Sequence, residues 1–396
     1  MKKQLLIPLL VLILLVVGTV GVVTYARGYR FSLGPGQAGI SGTGLLVTTS
    51  KPNGAQVFID DNLATATDNT INLPPGTYKV RIVKQGYFPW EKTIKVDKEI
   101  VSKADALLFP TAPKLESITD DGVVDAAVDP TGSRIAFTLA SRSAEQNGIY
   151  VFSMTSVPIF TLQGSARQIA EDILDSFSGS SISWSPDGSE ILATTSAQTS
   201  FPVTYLLDPT SLNQAPQDVS QTLISIDNSW AAQKAKKDKS LFNGLKPKLV
   251  QMIRAEFENI TWSPDETKII YTASRSATLP LIIVPRLLGV DATPEQRNIE
   301  KGSTYVYDIK EDKNYKVGLS KEVLSSAKWF PDSKHILYVS SGQLKSMEHD
   351  GSNDTVIYAG PFIPGYAFPW PDGSRIVILT NLNNPQIPPN LYTISL

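Results

Sequence analysis

The 396-residue sequence predicts a mainly β protein: an N-terminal transmembrane helix, a small β-sandwich-like domain, then a β-propeller of about five blades carrying a helical insertion. Three observations predict it. A short apolar strand, a Pro-centred turn and a second apolar strand recur five times, from the turn at Asp129 to the strand at Ile376–Ile378. Apolar and polar residues alternate in short runs between residues 44 and 96. An uncharged apolar run, Leu5 to Ala26, follows Met1-Lys2-Lys3.

Composition narrows the function classes. A hydrophobic content of 42% with 19% charged residues is globular. The net charge of −2 gives no overall attraction to nucleic acid. The absence of cysteine excludes disulfides, thiol catalysis and Cys-ligated metals. His335 and His349 are the only histidines, which disfavours His-rich metal sites and most His relays. No cofactor is expected.

A helix needs about 20 apolar residues to span a bilayer core of about 30 Å. The run to Ala26 meets that length, so residues 1–26 are expected to form an uncleaved membrane anchor. A cleaved signal peptide is the alternative, with Thr24-Tyr25-Ala26 as a mediocre cleavage site. Lys2 and Lys3 favour a cytoplasmic N-terminus and Arg27 and Arg30 oppose it. The resulting expectation is a single-pass protein whose bulk is extracytoplasmic, on a prokaryotic cell surface. Residues 27–43, rich in glycine, read as a flexible linker.

Residues 44–109 follow. Strands at Ala55–Asp60 and Thr77–Val83 are separated by turn clusters at Pro52-Asn53-Gly54, Asp60-Asp61-Asn62 and Pro74-Pro75-Gly76, the pattern of a small antiparallel β domain. Ser50–Ala55, Val57–Asp60, Leu73–Tyr78, Lys84–Tyr87 and Trp90 together resemble the PEGA domain. Asn53 departs from the family's Glu, and Asp61-Asn62 from its usual glycine. The resemblance implies a β-sandwich-like extracellular module. Tyr87, Phe88 and Trp90 could stack sugars, with core packing the stronger reading.

Residues 113–396 carry the repeats. The turn cores are Asp129-Pro130-Thr131-Gly132, Ser185-Pro186-Asp187-Gly188, Ser263-Pro264-Asp265-Glu266, Phe330-Pro331-Asp332-Ser333 and Trp370-Pro371-Asp372-Gly373. Pro presets φ, Asp bonds its own backbone and Gly permits positive φ. Trp184, Trp262 and Trp329 precede three cores, and Trp370 opens the fifth. A third strand recurs downstream, as in Ser303–Asp308 and Asn390–Ser395. Sheets repeated at this spacing point to propeller blades, which bury their faces only by stacking. The repeat resembles the TolB-like propellers, related to the WD type. The last copy lacks its outer strand, and Lys114–Thr119 is predicted to supply it, closing the ring and removing a sheet edge. Six blades is the alternative, with the sixth hidden in the long gap between copies two and three.

That gap holds the insertion, residues 228–257. Leu245, Leu249, Met252 and Ile253 have helical spacing, and Gly244 and Pro247 divide the segment into two helices. Lys234, Lys236, Lys237 and Lys239 are the candidate interaction surface. The bland reading is a solvated face on a decoration packed against the ring. A second insertion, Ala277 to Lys301, contains the apolar Leu279–Val290 and reads as edge cover or an interaction loop.

No catalytic constellation appears. There is no G-x-S-x-G, Walker loop or G-x-G-x-x-G. The repeated Asp187, Asp265, Asp332 and Asp372 occupy equivalent turn positions and read as structural. The chain is therefore expected to be a non-enzymatic surface protein serving as a platform for a protein partner. The alternative is a binder of envelope polysaccharide or anionic wall polymer.

Overall fold

The computed structural model describes residues 6–26, 29–34, 37–140, 142–154, 166–195 and 201–396. The chain divides into two compact units. The first comprises Met1–Thr111, Ile283–Gln296 and Glu311–Lys313; the second comprises Ala112–Ile282, Arg297–Lys310 and Asn314–Leu396.

The first unit corrects the expected fold class. Helix α1 spans Leu6–Ala26, but among the described residues no helix is long and apolar enough to cross a membrane. The anchor expected at residues 1–26 is thus not supported. Within residues 27–43, read as a flexible linker, Tyr29–Gly34 and Gln37–Gly42 pair as an antiparallel hairpin.

Two sheets follow. Gly44–Lys51 lies between Asn69–Leu73, antiparallel, and Val101–Leu107, parallel. The parallel pair departs from the wholly antiparallel expectation. The second sheet has the order Asn62–Ala66, Gln56–Ile59, Gly76–Val83, Trp90–Val96. Alternate residues face inward, as the period of two requires. Leu46, Val57, Val80, Ile82, Trp90, Ile94 and Ala104 form the shared core.

Among the described residues the second unit contains five four-stranded sheets, a propeller-like repeat. Blade 1 runs from Val123 to Glu171, blade 2 from Ser181 to Asp218, blade 3 from Phe257 to Lys316 and blade 4 from Lys328 to Tyr358. Blade 5 joins the two ends of the unit. Leu115–Ser117 pairs with Asn390–Ser395, with Leu115 opposite Ile394 and Ser117 opposite Tyr392, as the orphan strand predicted. Asn390 Oδ1 latches it by accepting from Thr119 Oγ1 and the Gly122 N–H, each at 3.0 Å.

Neighbouring blades share cores and specific bonds. Trp184 Nε1–H donates to Ala127 O at 3.0 Å, and Trp329 Nε1–H donates to Thr261 O at 3.2 Å. Ala127 and Thr261 each immediately precede the tryptophan position of their own repeat. In blades 2 and 4 the repeated indole is therefore an inter-blade donor. Asp125 accepts from Ile182 N–H of blade 2 and from Tyr366 Oη–H beside blade 5, joining three consecutive blades.

No sixth blade fills the gap between blades 2 and 3. Helices α2 (Leu223–Leu241) and α3 (Pro247–Glu256) occupy it.

Candidate functional site

Helix α3 is amphipathic, and Leu249, Met252 and Ile253 sit buried in the core of blade 3. Pro247 opens it with a preset φ and a missing N–H that the first turn does not need. The inward face leaves Val250, Gln251 and Arg254 outward. With Leu245, Pro247 and Ala255 they line an open groove of about 620 Å³. The Arg254 guanidinium lies 5.8 Å from the Phe242 ring centroid. Glu256 is held by Arg275 through bonds of 2.8 and 2.7 Å, which keeps its carboxyl below the usual range.

Helix α2 behaves differently. It has no buried residue, and every residue from 231 to 240 is exposed. Lys234, Lys236, Lys237 and Lys239 all lie in this stretch. At roughly 100° per residue they sit near 0°, 200°, 300° and 140° around the axis, so they form a collar rather than one face. Among the described residues no ion pair joins any of them to a carboxylate. Only Leu223, Ile226, Trp230 and Leu241 along it are even half-buried, so packing holds it weakly. Here Ala231, Ala232 and Ala235 supply propensity, and Lys239 lies in the last turn, where a cation complements the helix dipole. The structure thus presents the predicted lysines to solvent, beside the α3 groove in sequence, without converging them on a point. The groove was missed in the sequence reading, although the outward half of the same helical period marks it.

The repeated aspartates serve the turns. Asp187 accepts from Ser189 N–H, Ser189 Oγ and Ser185 Oγ; these bonds hold its pKa down to about 2. Asp332 accepts from the Lys334 and His335 N–H groups and contacts His335 Nδ1 at 2.6 Å. Burial pushes its pKa up, but the His335 contact and the two backbone bonds outweigh it and leave it at about 2. His335 is buried in this structural pair, and its ring lies 6.2 Å from Phe330. His349 lies 5.7 Å from the Tyr315 ring and 3.9 Å from Asp308. Among the described residues no three His, Asp or Glu side chains group as metal ligands.

The aromatics of the first unit do not form a stacking platform. Trp90 belongs to the core and Tyr87 packs against it. The second insertion divides. Ala277–Thr278 and Asn298–Ile299 make a two-stranded ribbon in the second unit, while Ile283–Gln296 belongs to the first. There Lys92 Nζ meets Asp291 Oδ2 at 2.7 Å, with side chains only 10% and 12% exposed. No sequence signal links those two residues.

Comparison with known proteins adds little about activity. No curated protein matches the chain. Similar solved structures include a putative TolB from Agrobacterium tumefaciens, with 15% identity over 70% of this chain and 73% of that one, at a TM-score of 0.21. TolB from Acinetobacter baumannii has 14% identity over 81% and 60%, at 0.20. An acylaminoacyl peptidase from Pyrococcus horikoshii has 14% over 67% and 36%, at 0.18. At such scores the propeller-like architecture rests on the chain's own five sheets. The family comparison is more specific, and its finding is that residues 43–111 match the PEGA domain.

Proposed function

We propose that the chain is a non-enzymatic, extracytoplasmic interaction platform that captures a protein partner on the α2–α3 insertion. One observation carries this reading. Among the described residues, α2 buries none of its own side chains yet stands next in the chain to a helix whose outer face is an open apolar groove. A 19-residue helix that contributes nothing to the core is costly to order unless something else uses it. The PEGA match and the cysteine-free sequence support a location outside the cytoplasm.

The collar of lysines favours the second reading, an anionic envelope polymer. The two differ in salt dependence, because exposed charges are screened over about 8–10 Å at physiological salt. A photo-crosslinker placed at Gln251 in whole cells tests the first reading. It should capture one polypeptide, at a yield that survives about 0.5 M salt, where the screening length is only a few ångströms. The yield should fall with Val250→Asp, and a crosslinker moved to Glu322, on the helix Lys321–Ser326 that packs with blade 4, should not capture that polypeptide. Salt-labile capture of polymer, abolished by changing the four lysines to Gln, would sink the protein reading and establish the other.

A further inference from the structure

We infer that the surface of the first unit around Lys92 and Ile100 is a recognition site for a Gly-x-Asp turn, and that Gly289-Val290-Asp291 is its occupant in cis. The inference does not depend on what, if anything, the basic insertion binds.

The turn fits the surface at two points. Gly289 adopts φ +71, in the left-handed region, and an added Cβ would lie 2.5 Å from Ile100 Cγ2. Only a glycine approaches so closely in that conformation. Two residues on, Asp291 presents a carboxylate whose Oδ1 accepts from Thr293 N–H at 2.9 Å and whose Oδ2 meets Lys92 Nζ at 2.7 Å. The backbone around Asp291 is held as well. Its N–H donates to Glu311 Oε2 at 3.1 Å, and its carbonyl accepts from Lys313 Nζ. An ion pair this secluded adds little stability over an apolar pair, and its attested use is to fix which partner sits in which register. Lys92 and Asp291 are 199 residues apart, so the pair selects one turn out of the whole later chain.

The turn is also tethered independently of these contacts. Ile283 N–H donates to Asp312 Oδ2, Arg286 donates to Asp312 O, and Arg286 pairs with Glu295. The site can therefore be emptied while its flanks stay fixed. Replacing residues 287–292 by a Ser/Gly segment of equal length does this. The probe is a synthetic peptide of residues 286–293, titrated against the Ile100 methyl resonance. The peptide is taken to millimolar concentration, the order of the effective concentration at which the tethered turn itself occupies the site.

The emptied chain should show a saturable shift, and the parent, whose site is filled, none. A peptide carrying Asp291→Lys should bind at least about tenfold more weakly, as loss of a charge-assisted bond implies. Lys92→Asp in the emptied chain should reverse that preference. No saturable shift, or equal binding of both peptides, overturns the inference. Should the emptied chain not fold, hydrogen exchange at the amide of position 291 in the intact chain decides. Lys92→Asp and Asp291→Lys should each raise it at least about tenfold, and the two together should restore it, the coupling that a contact pair produces. Exchange unchanged by either single substitution overturns the inference equally.

Discussion

Asp129 shows how a repeat survives the loss of its key residue. In the other four copies the aspartate stands third in the turn core; in the first copy Thr131 stands there and Asp129 opens the core. The capping is kept from the new position, because Asp129 accepts from the Ser133 and Arg134 N–H groups and from Thr131 Oγ1. All five cores keep the same backbone. The fourth residue donates to the first at 2.8–3.0 Å and has φ between 59° and 73°, even where it is Glu266 or Ser333. Asp129 is buried and also binds Arg134 Nε at 3.2 Å. Asp129→Ala is therefore expected to destabilise by about 2–4 kcal/mol, since it strands a partly buried guanidinium. Asp372→Ala, which removes bonds only to Ser374, is expected to cost about 0.5–1.5 kcal/mol. Urea titration of the two variants checks the order. The turns also set an acid limit. Asp187 and Asp332 have pKa values lowered to about 2, against about 3.9 when unfolded. A lowered folded pKa adds stability that is complete above the unfolded value and disappears as pH falls through the folded one. The melting temperature should thus hold down to about pH 4 and drop between about pH 4 and 2. In Asp332→Asn that drop should be smaller; an unchanged drop would remove Asp332 from the explanation.

At the scale of elements, the two helices of the insertion separate packing from display. Ile253 is fully buried in the blade 3 core, so Ile253→Ala is expected to cost about 2–4 kcal/mol. Changing Lys234, Lys236, Lys237 and Lys239 together to Gln should alter stability by no more than about 1 kcal/mol, as exposed sites do. Thermal melts of both variants test this. A large loss in the Lys variant would mean that the collar is structural. The contrast also shows what the sequence could reveal. The burial of α3 was legible, because Leu249, Met252 and Ile253 recur at the helical period. The hairpins were legible because their turn chemistry is local. The shallow packing of α2 was not, since Leu223, Ile226 and Trp230 have the spacing of a buried stripe yet reach only half-burial in the structure. The Lys92–Asp291 pair was not legible either, because a contact between distant loops leaves no periodicity. At the N-terminus, hydropathy alone suggested a bilayer span, and the described helix does not meet the length and apolarity that a span requires.

At the scale of the whole second unit, closure rests on a few residues at its two ends. Asn390 is buried, and its Oδ1 serves both Thr119 and Gly122 while Thr119 Oγ1 accepts from Leu391 N–H at 3.0 Å. Asn390→Ala leaves these donors unmet and is expected to cost about 2–3 kcal/mol. Removing residues 114–119 should lower stability more, because it bares the edge of Asn390–Ser395. A truncated chain that melts like the parent would show that the end strand does not close the ring. This stitching of first strand to last also has a consequence for synthesis. Leu115–Ser117 is synthesised well before Asn390–Ser395, the strand it pairs with. At about 5–20 residues per second, its partner follows only after some tens of seconds. Until then blades 1 to 4 are an open arc. The nascent chain thus needs chaperone cover until Ser395 has emerged, and any break in synthesis before Asn390 would leave the arc permanently ajar.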